Sequence, residues 1–297
     1  MRPEHIVDIH THIFEEEYRE QLINKTLLMD FVKQLGLTRG SDGRLSSLLR
    51  SADENDISKF FILPVVKTPK KVQYINNLYY RESKKDSRIV FCGTIFPGSP
   101  SFNKEILLDL KTKDAKLIKI HSMHQKIDIL DDASLQLFEE IATAGLPVIF
   151  DTSCIPVEYL SSDDDTRFHT TPGKLIKLHE MLPGLKIIAA HGGGHFISDK
   201  ERRKLIGRKI YIELSATRYN CDWPRNDHNT SLKNFIYLLN NHYADMLLFG
   251  TDNPWRNQKR EIEEFIELHE KDLITRTLME NIFWKNASRL FKLDLER

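Results

Sequence analysis

Short apolar, β-branched runs recur along the chain: HIVDIH at 5–10, KFFILPVV at 59–66, RIVFCGTIF at 88–96, KLIKIH at 116–121, LPVIFD at 146–151, LKIIAAH at 185–191, KIYIELS at 209–215 and MLLFG at 246–250. Such runs read as strands buried on both faces. Most of the intervals between them carry helical spacing, as in SLQLFEEIATAG at 134–145 and PGKLIKLHEMLPG at 172–184, which end in the glycine that a helix C-terminus favours. Strand then helix, eight times in 297 residues, predicts an α/β chain folded as a (β/α)8 TIM barrel rather than an open sheet. No linker or low-complexity segment divides residues 1–297, which read as a single barrel domain. One interval is too long for a simple loop. Residues 13–57 hold EEEYREQLI, TLLMDFVKQLG and GRLSSLLRSADEND, each partly helical in period, and predict an inserted helical lid over the C-terminal face.

Charge removes several partners from consideration. The 43 basic and 43 acidic side chains cancel, so no overall field selects nucleic acid or an anionic membrane over a neutral small molecule. Three distant cysteines, Cys92, Cys154 and Cys221, suggest neither a disulfide framework nor a zinc knuckle. The first residues lack the apolar core of a signal peptide and no run approaches a membrane span, so the expectation is a soluble, cytoplasmic protein with a small-molecule partner.

Polar residues at the strand ends carry the chemistry. In VDIHTH, His10 and His12 are two apart and share a strand face, where two neutral imidazoles could converge on a divalent ion at about 2.0 to 2.1 Å. The alternative is a pair of core histidines bonded to neighbours. Asp252, in FGTDNPW, follows the eighth strand, which a closed barrel places beside the first; it could add a carboxylate or simply cap a turn before Pro254. His191 ends the sixth strand. The glycines 192–194 after it are weak evidence for a phosphate cradle and read better as backbone passing close to a site. Lys119 and His121 share a face of the fourth strand, with His124 beyond; the lysine needs a partner such as Asp8 or Asp151, or an anionic substrate. Parity alone leaves Glu213 facing either the core or a helix. Trp223 and Trp255 stand in loops on the active face as an aromatic wall or as loop packing. The acidic run at 161–169 reads as solvated, with His169 at its end bordering the pocket or not.

These residues, in this order, resemble the amidohydrolase superfamily, in particular its amidohydrolase-2 group of metal-dependent TIM-barrel enzymes. VDIHTH, ADENDISKFFILPV, LIKIHSMHQKIDILDD, AHGGGHF, FGTDNPW and NIFWKNASRLFKL carry the resemblance over almost the whole chain. It implies His10, His12 and Asp252 as ligands of one divalent ion, Asp252 also as the proton acceptor, and His191 as a second ligand or a catalytic hydrogen-bonding group. Lys119, His121, His124 and Trp255 then fall to the substrate. The fifth strand departs from the group's pattern: LPVIFDTS places Asp151 where a histidine ligand usually stands. A carboxylate can also bind zinc, at about 2.0 to 2.2 Å, and would shift selectivity toward manganese or magnesium; otherwise Asp151 caps the turn at Thr152–Ser153. The expected ion is zinc, with manganese or magnesium as alternatives. The expected reaction is metal-assisted hydrolysis of an amide, ester or lactone. Decarboxylation of a carboxylated substrate is the alternative within the same group, and a barrel with a weakened metal site and no catalysis is a third reading. The resemblance also allows a homodimer.

Overall fold

The computed structural model describes residues 2–16, 19, 40–98, 100–154, 165–195, 197–217 and 231–295. Its strands are β1 (Val7–Thr11), β2 (Lys59–Ile62), β3 (Ile89–Phe91), β4 (Gly93–Thr94), β5 (Ile118–Ile120), β6 (Val148–Phe150), β7 (Ile187–Ala189), β8 (Tyr211–Glu213) and β9 (Leu247–Leu248). All pair in parallel, in the orders β1-β2-β3 and β4 to β9. Only Cys92 separates β3 from β4, so these two segments are halves of the third strand and the described segments make eight barrel strands. The ring closes between the eighth and the first: Ile9 N donates to Phe249 O at 3.0 Å and Asp252 N to His10 O at 2.7 Å. The (β/α)8 barrel expected from the alternation is the fold observed.

Two apolar clusters follow from period-2 alternation in strands buried on both faces. Phe60, Ile62, Ile118, Ile120, Val148, Phe150, Ile187, Ile212 and Phe249 face the surrounding helices. Val7, Ile9, Phe61, Leu117, Ile149, Ile188 and Leu248 form the inner cluster, with Ala287 and Phe291 of the C-terminal helix; the Phe61 and Phe291 rings lie 4.7 Å apart. That inner cluster fills the barrel below its polar end.

Two sequence expectations are modified. Helix Leu45–Glu54 lies in the interval assigned to a lid, yet Leu48 and Ala52 are fully buried in the core, so it is the crossover helix between the first two strands. Residues 17, 18 and 20–39 of that interval lie outside the described residues, as do Trp223 and 161–164 of the acidic run. Helix Asp132–Ala144 does end at Gly145, which takes the left-handed conformation, φ 75°. Helix Pro172–Met181, by contrast, stops at Leu182 rather than at Gly184, because the residue before Pro183 is sterically barred from the helical region.

Candidate metal centre

Simple alternation would turn His10 and His12 away from the inner face that Val7 and Ile9 occupy. A register shift between Asp8 and Thr11 corrects this: three steps of β1 are matched to two of β2, from Asp8↔Phe60 to Thr11↔Ile62. The bulge reverses the parity, so Ile9 and His10 both serve the interior. Asp8, fully buried, stabilises it. Its carboxylate accepts the N–H of His10 at 3.2 Å, the N–H and hydroxyl of Thr251 at 3.0 and 2.6 Å, and Gln258 Nε2 at 2.8 Å. Burial pushes this carboxyl up to about 7, against those four donors. Asp8 therefore stitches the first strand to the eighth and is not the partner of Lys119.

Both histidines are held as one tautomer. His12 Nδ1 lies 2.8 Å from the carbonyl of Leu63, which can only accept, and His10 Nδ1 lies 2.8 Å from Glu213 Oε2. Both Nε2 atoms then turn toward Asp252 Oδ1, at 3.6 Å from His10 and 3.3 Å from His12. Asp252 reaches this place from a left-handed backbone, φ 59°, whose carbonyl accepts the N–H of Trp255 at 2.9 Å, so the residue forms a turn and faces the site at once. Burial opposes ionisation of Asp252, but His12 and the neighbouring imidazoles of His10 and His191 hold its carboxyl below the usual range. Burial, reinforced by the charge of Lys119, keeps the pKa of His10 well below the ordinary imidazole value.

Two imidazole lone pairs and a carboxylate oxygen facing one another is an arrangement that calls for a cation between them. Donor atoms bound to one ion at about 2.1 Å are about 3.0 to 3.4 Å apart at octahedral to tetrahedral angles. The observed 3.3 Å falls within that range and 3.6 Å slightly beyond it, and among the described residues His10, His12 and Asp252 group closely enough to hold an ion. A second such group, His10, His191 and Glu213, shares one of its histidines.

Across the barrel mouth, Lys119 is 1% exposed, with Nζ 3.2 Å from Asp151 Oδ2 and 3.4 Å from His10 Nε2. Asp151 Oδ2 also lies 3.4 Å from His191 Nε2 and 3.6 Å from His121 Nε2, while Oδ1 accepts the N–H of Ser153 at 3.0 Å. Burial alone would raise this carboxyl, yet His121, Lys119 and His191 hold it well below its usual range. Burial would likewise lower the pKa of His191, but Asp151 outweighs it and the imidazole is raised. His191 Nδ1 meets Ser215 Oγ at 3.0 Å.

The structure thus brings His10, His12 and Asp252 to one point, with Lys119, Asp151 and His191 beside it. His121 joins them through Asp151 and stacks on His124, ring centroids 3.9 Å apart, with His124 at the exposed edge. Trp255 lies 5.9 Å from Phe14, whose ring stacks against His12 at 6.0 Å. Glycines 192–194 pass close to neighbours rather than cradling an anion: a Cβ on Gly192 would run into Thr217, and the buried Arg202 guanidinium donates to the carbonyls of Gly192 and Gly194 at 3.0 and 2.9 Å. Arg202, Ser215 and Phe14 carried no motif in the sequence. Ser215 shares the parity of Glu213, which offers a weak signal.

A barrel of this kind is the fold of amidohydrolase-like enzymes, hydrolases and decarboxylases among them. The family described as Amidohydrolase matches residues 7–293, and the chain belongs to that family, whose members are enzymes acting on small molecules with a divalent metal ion. Among solved structures, an uncharacterised TIM-barrel protein of Bordetella bronchiseptica matches with a TM-score of 0.75 at 17% identity, over 97% of this chain and 98% of that one. A dihydroxybenzoic acid decarboxylase from a Polaromonas species, with bound manganese and 2-nitroresorcinol, matches at 0.68 and 14% over 98% and 97%. A probable 2-pyrone-4,6-dicarboxylic acid hydrolase of Acinetobacter baumannii, with citric acid bound, matches at 0.60 and 12% over 97% and 99%. These likenesses share the fold. No curated protein sequence matches the chain. Among the described residues, no helix is long and apolar enough to cross a membrane.

Proposed function

We propose that this chain, acting as one barrel domain, hydrolyses an amide, ester or lactone of a small molecule with a divalent ion, zinc or manganese, held by His10, His12 and Asp252. The convergence of two Nε2 lone pairs and Asp252 Oδ1 carries this reading. An ion in that place supplies Lewis acidity, polarising a carbonyl and lowering the pKa of water from about 15.7 to roughly 7 to 9. Asp252, whose side chain keeps 12% exposure, takes the proton of the attacking water and returns it to the leaving group. His191 lies beside it with its ring 5.0 Å from that of His10, where it can donate to the oxyanion that develops on the substrate. Lys119, His121, His124 and Trp255 form the substrate side. For Asp151, the bond to Lys119 and the nearness of His191 support an anchoring part. Its expected part as a ligand is tested by Asp151→Asn: a loss of zinc affinity of tenfold or more supports ligation, and a change under threefold removes it.

A second reading, non-oxidative decarboxylation, is favoured by Lys119, a buried ammonium beside the site that suits a substrate carboxylate. Zinc- and manganese-loaded protein offered lactones, esters, amides and aromatic or muconate-like acids separates the two. Acid release from the neutral panel supports hydrolysis; carbon dioxide release from the acids replaces it with the lyase. Protein that binds neither metal overturns both.

A further inference from the structure

Glu213 of β8 sits beneath the site, fully buried, and belongs to the second of the two groups able to hold an ion. Its oxygens are already engaged. Oε2 accepts His10 Nδ1–H at 2.8 Å, the N–H of His191 at 3.1 Å and Ser215 Oγ–H at 2.9 Å; Oε1 accepts the N–H of Ser215 at 2.5 Å. Three donors converge on Oε2, more than its two lone-pair sites, so the oxygen that faces His10 and His191 has none left for an ion, while Oε1 is held by the backbone N–H of Ser215. Ser215 Oγ in turn lies 3.0 Å from His191 Nδ1, so one carboxylate and one hydroxyl set both rings. The eighth strand makes room for this: a Cβ on Gly250 would overlap Glu213 Oε1 and lie 2.8 Å from His10 Cβ.

Resting on the metal site proposed above, we infer that Glu213 is not a ligand but the positioning residue of the centre, fixing His10 as the Nδ1–H tautomer and, with Ser215, orienting His191. The ion accordingly belongs to His10, His12 and Asp252. Glu213→Gln presents an amide NH2 to at least one donor that the carboxylate accepts. His10 then shifts to the Nε2–H tautomer, whose hydrogen occupies the ligand position.

The test uses the full chain labelled with 15N histidine, with zinc ion alone as the probe. In metal-free protein, Glu213→Gln is expected to move the His10 nitrogen shifts from the Nδ1–H to the Nε2–H pattern. Zinc affinity should fall about 10- to 100-fold, as for lost partners of ligating imidazoles. Unchanged His10 shifts with wild-type zinc affinity overturn the inference. So does abolished zinc binding in Glu213→Gln alongside retained binding in His12→Gln, which places the ion at the His10–His191–Glu213 group. Should Glu213→Gln fail to fold, Ser215→Ala removes only the hydroxyl; it is expected to alter the His191 nitrogen shifts while His10 keeps its tautomer, and unaltered His191 shifts overturn the assignment. Wild-type protein that binds no zinc refutes the proposed function, yet the tautomer measurement on metal-free protein still decides the part played by Glu213.

Discussion

Removing Lys119 isolates a carboxylate that the fold has buried. In Lys119→Met, Asp151 keeps the N–H of Ser153 at 3.0 Å, His191 Nε2 at 3.4 Å and His121 Nε2 at 3.6 Å but loses the ammonium at 3.2 Å. Breaking a buried pair from one side costs about 3 to 5 kcal/mol, and the three surviving partners place this case at the low end, about 3 kcal/mol. Asp151→Asn is symmetrical in kind, since it removes the charge opposite Lys119 and leaves the buried ammonium only neutral acceptors, the new amide oxygen and His10 Nε2 3.4 Å away. The double variant removes both charges and is expected to lose less than the sum of the singles, with a coupling of at least about 2 kcal/mol. At about 2.1 cal/mol/K of unfolding entropy per residue, 297 residues give about 0.6 kcal/mol per degree, so each single change lowers Tm by about 5 °C. Calorimetry on chelator-treated protein measures this without contribution from bound metal. Additivity within about 0.5 kcal/mol refutes the reasoning, because it means that the two charges are solvated separately.

Asp8→Ala strands four donors in the core and removes the acceptor that holds the β1 bulge; a loss of more than about 4 kcal/mol and of zinc binding is expected by denaturant titration and metal analysis. Asp252→Asn should lower kcat by about 10²-fold or more, read by steady-state kinetics with metal content measured alongside; full turnover would remove its proton-transfer part. Arg202→Met leaves the carbonyls of Gly192 and Gly194 without their shared donor, and a cost of about 2 to 4 kcal/mol is expected by chemical denaturation. Stripping the metal should lower Tm by about 4 °C relative to protein held at 100 times the zinc dissociation constant, where binding adds about 2.7 kcal/mol; scanning calorimetry with and without chelator reads the shift.

The eight strands were legible because a strand buried on both faces leaves an unbroken apolar run, and the crossover helices because their period differs from it. The His10–His12 pair and Asp252 were legible as chemistry because imidazoles and a carboxylate have few reasons to stand at the ends of such runs. Local pattern could not show that His10 faces inward. Alternation from Val7 and Ile9 turns it outward, and the bulge that reverses this depends on Asp8 finding Thr251 and Gln258 some 240 residues later in the chain. Nor could it assign Glu213, whose inward face and bond to His10 are set by closure of the barrel between strands with no sequence contact. The sequence by itself determined which elements form and which residues are candidates for chemistry, since both are properties of short segments. Tertiary structure alone decided which nitrogen of each histidine faces the site and which carboxylate pairs with which cation. Those depend on distances of about 3 Å between strands brought together by folding.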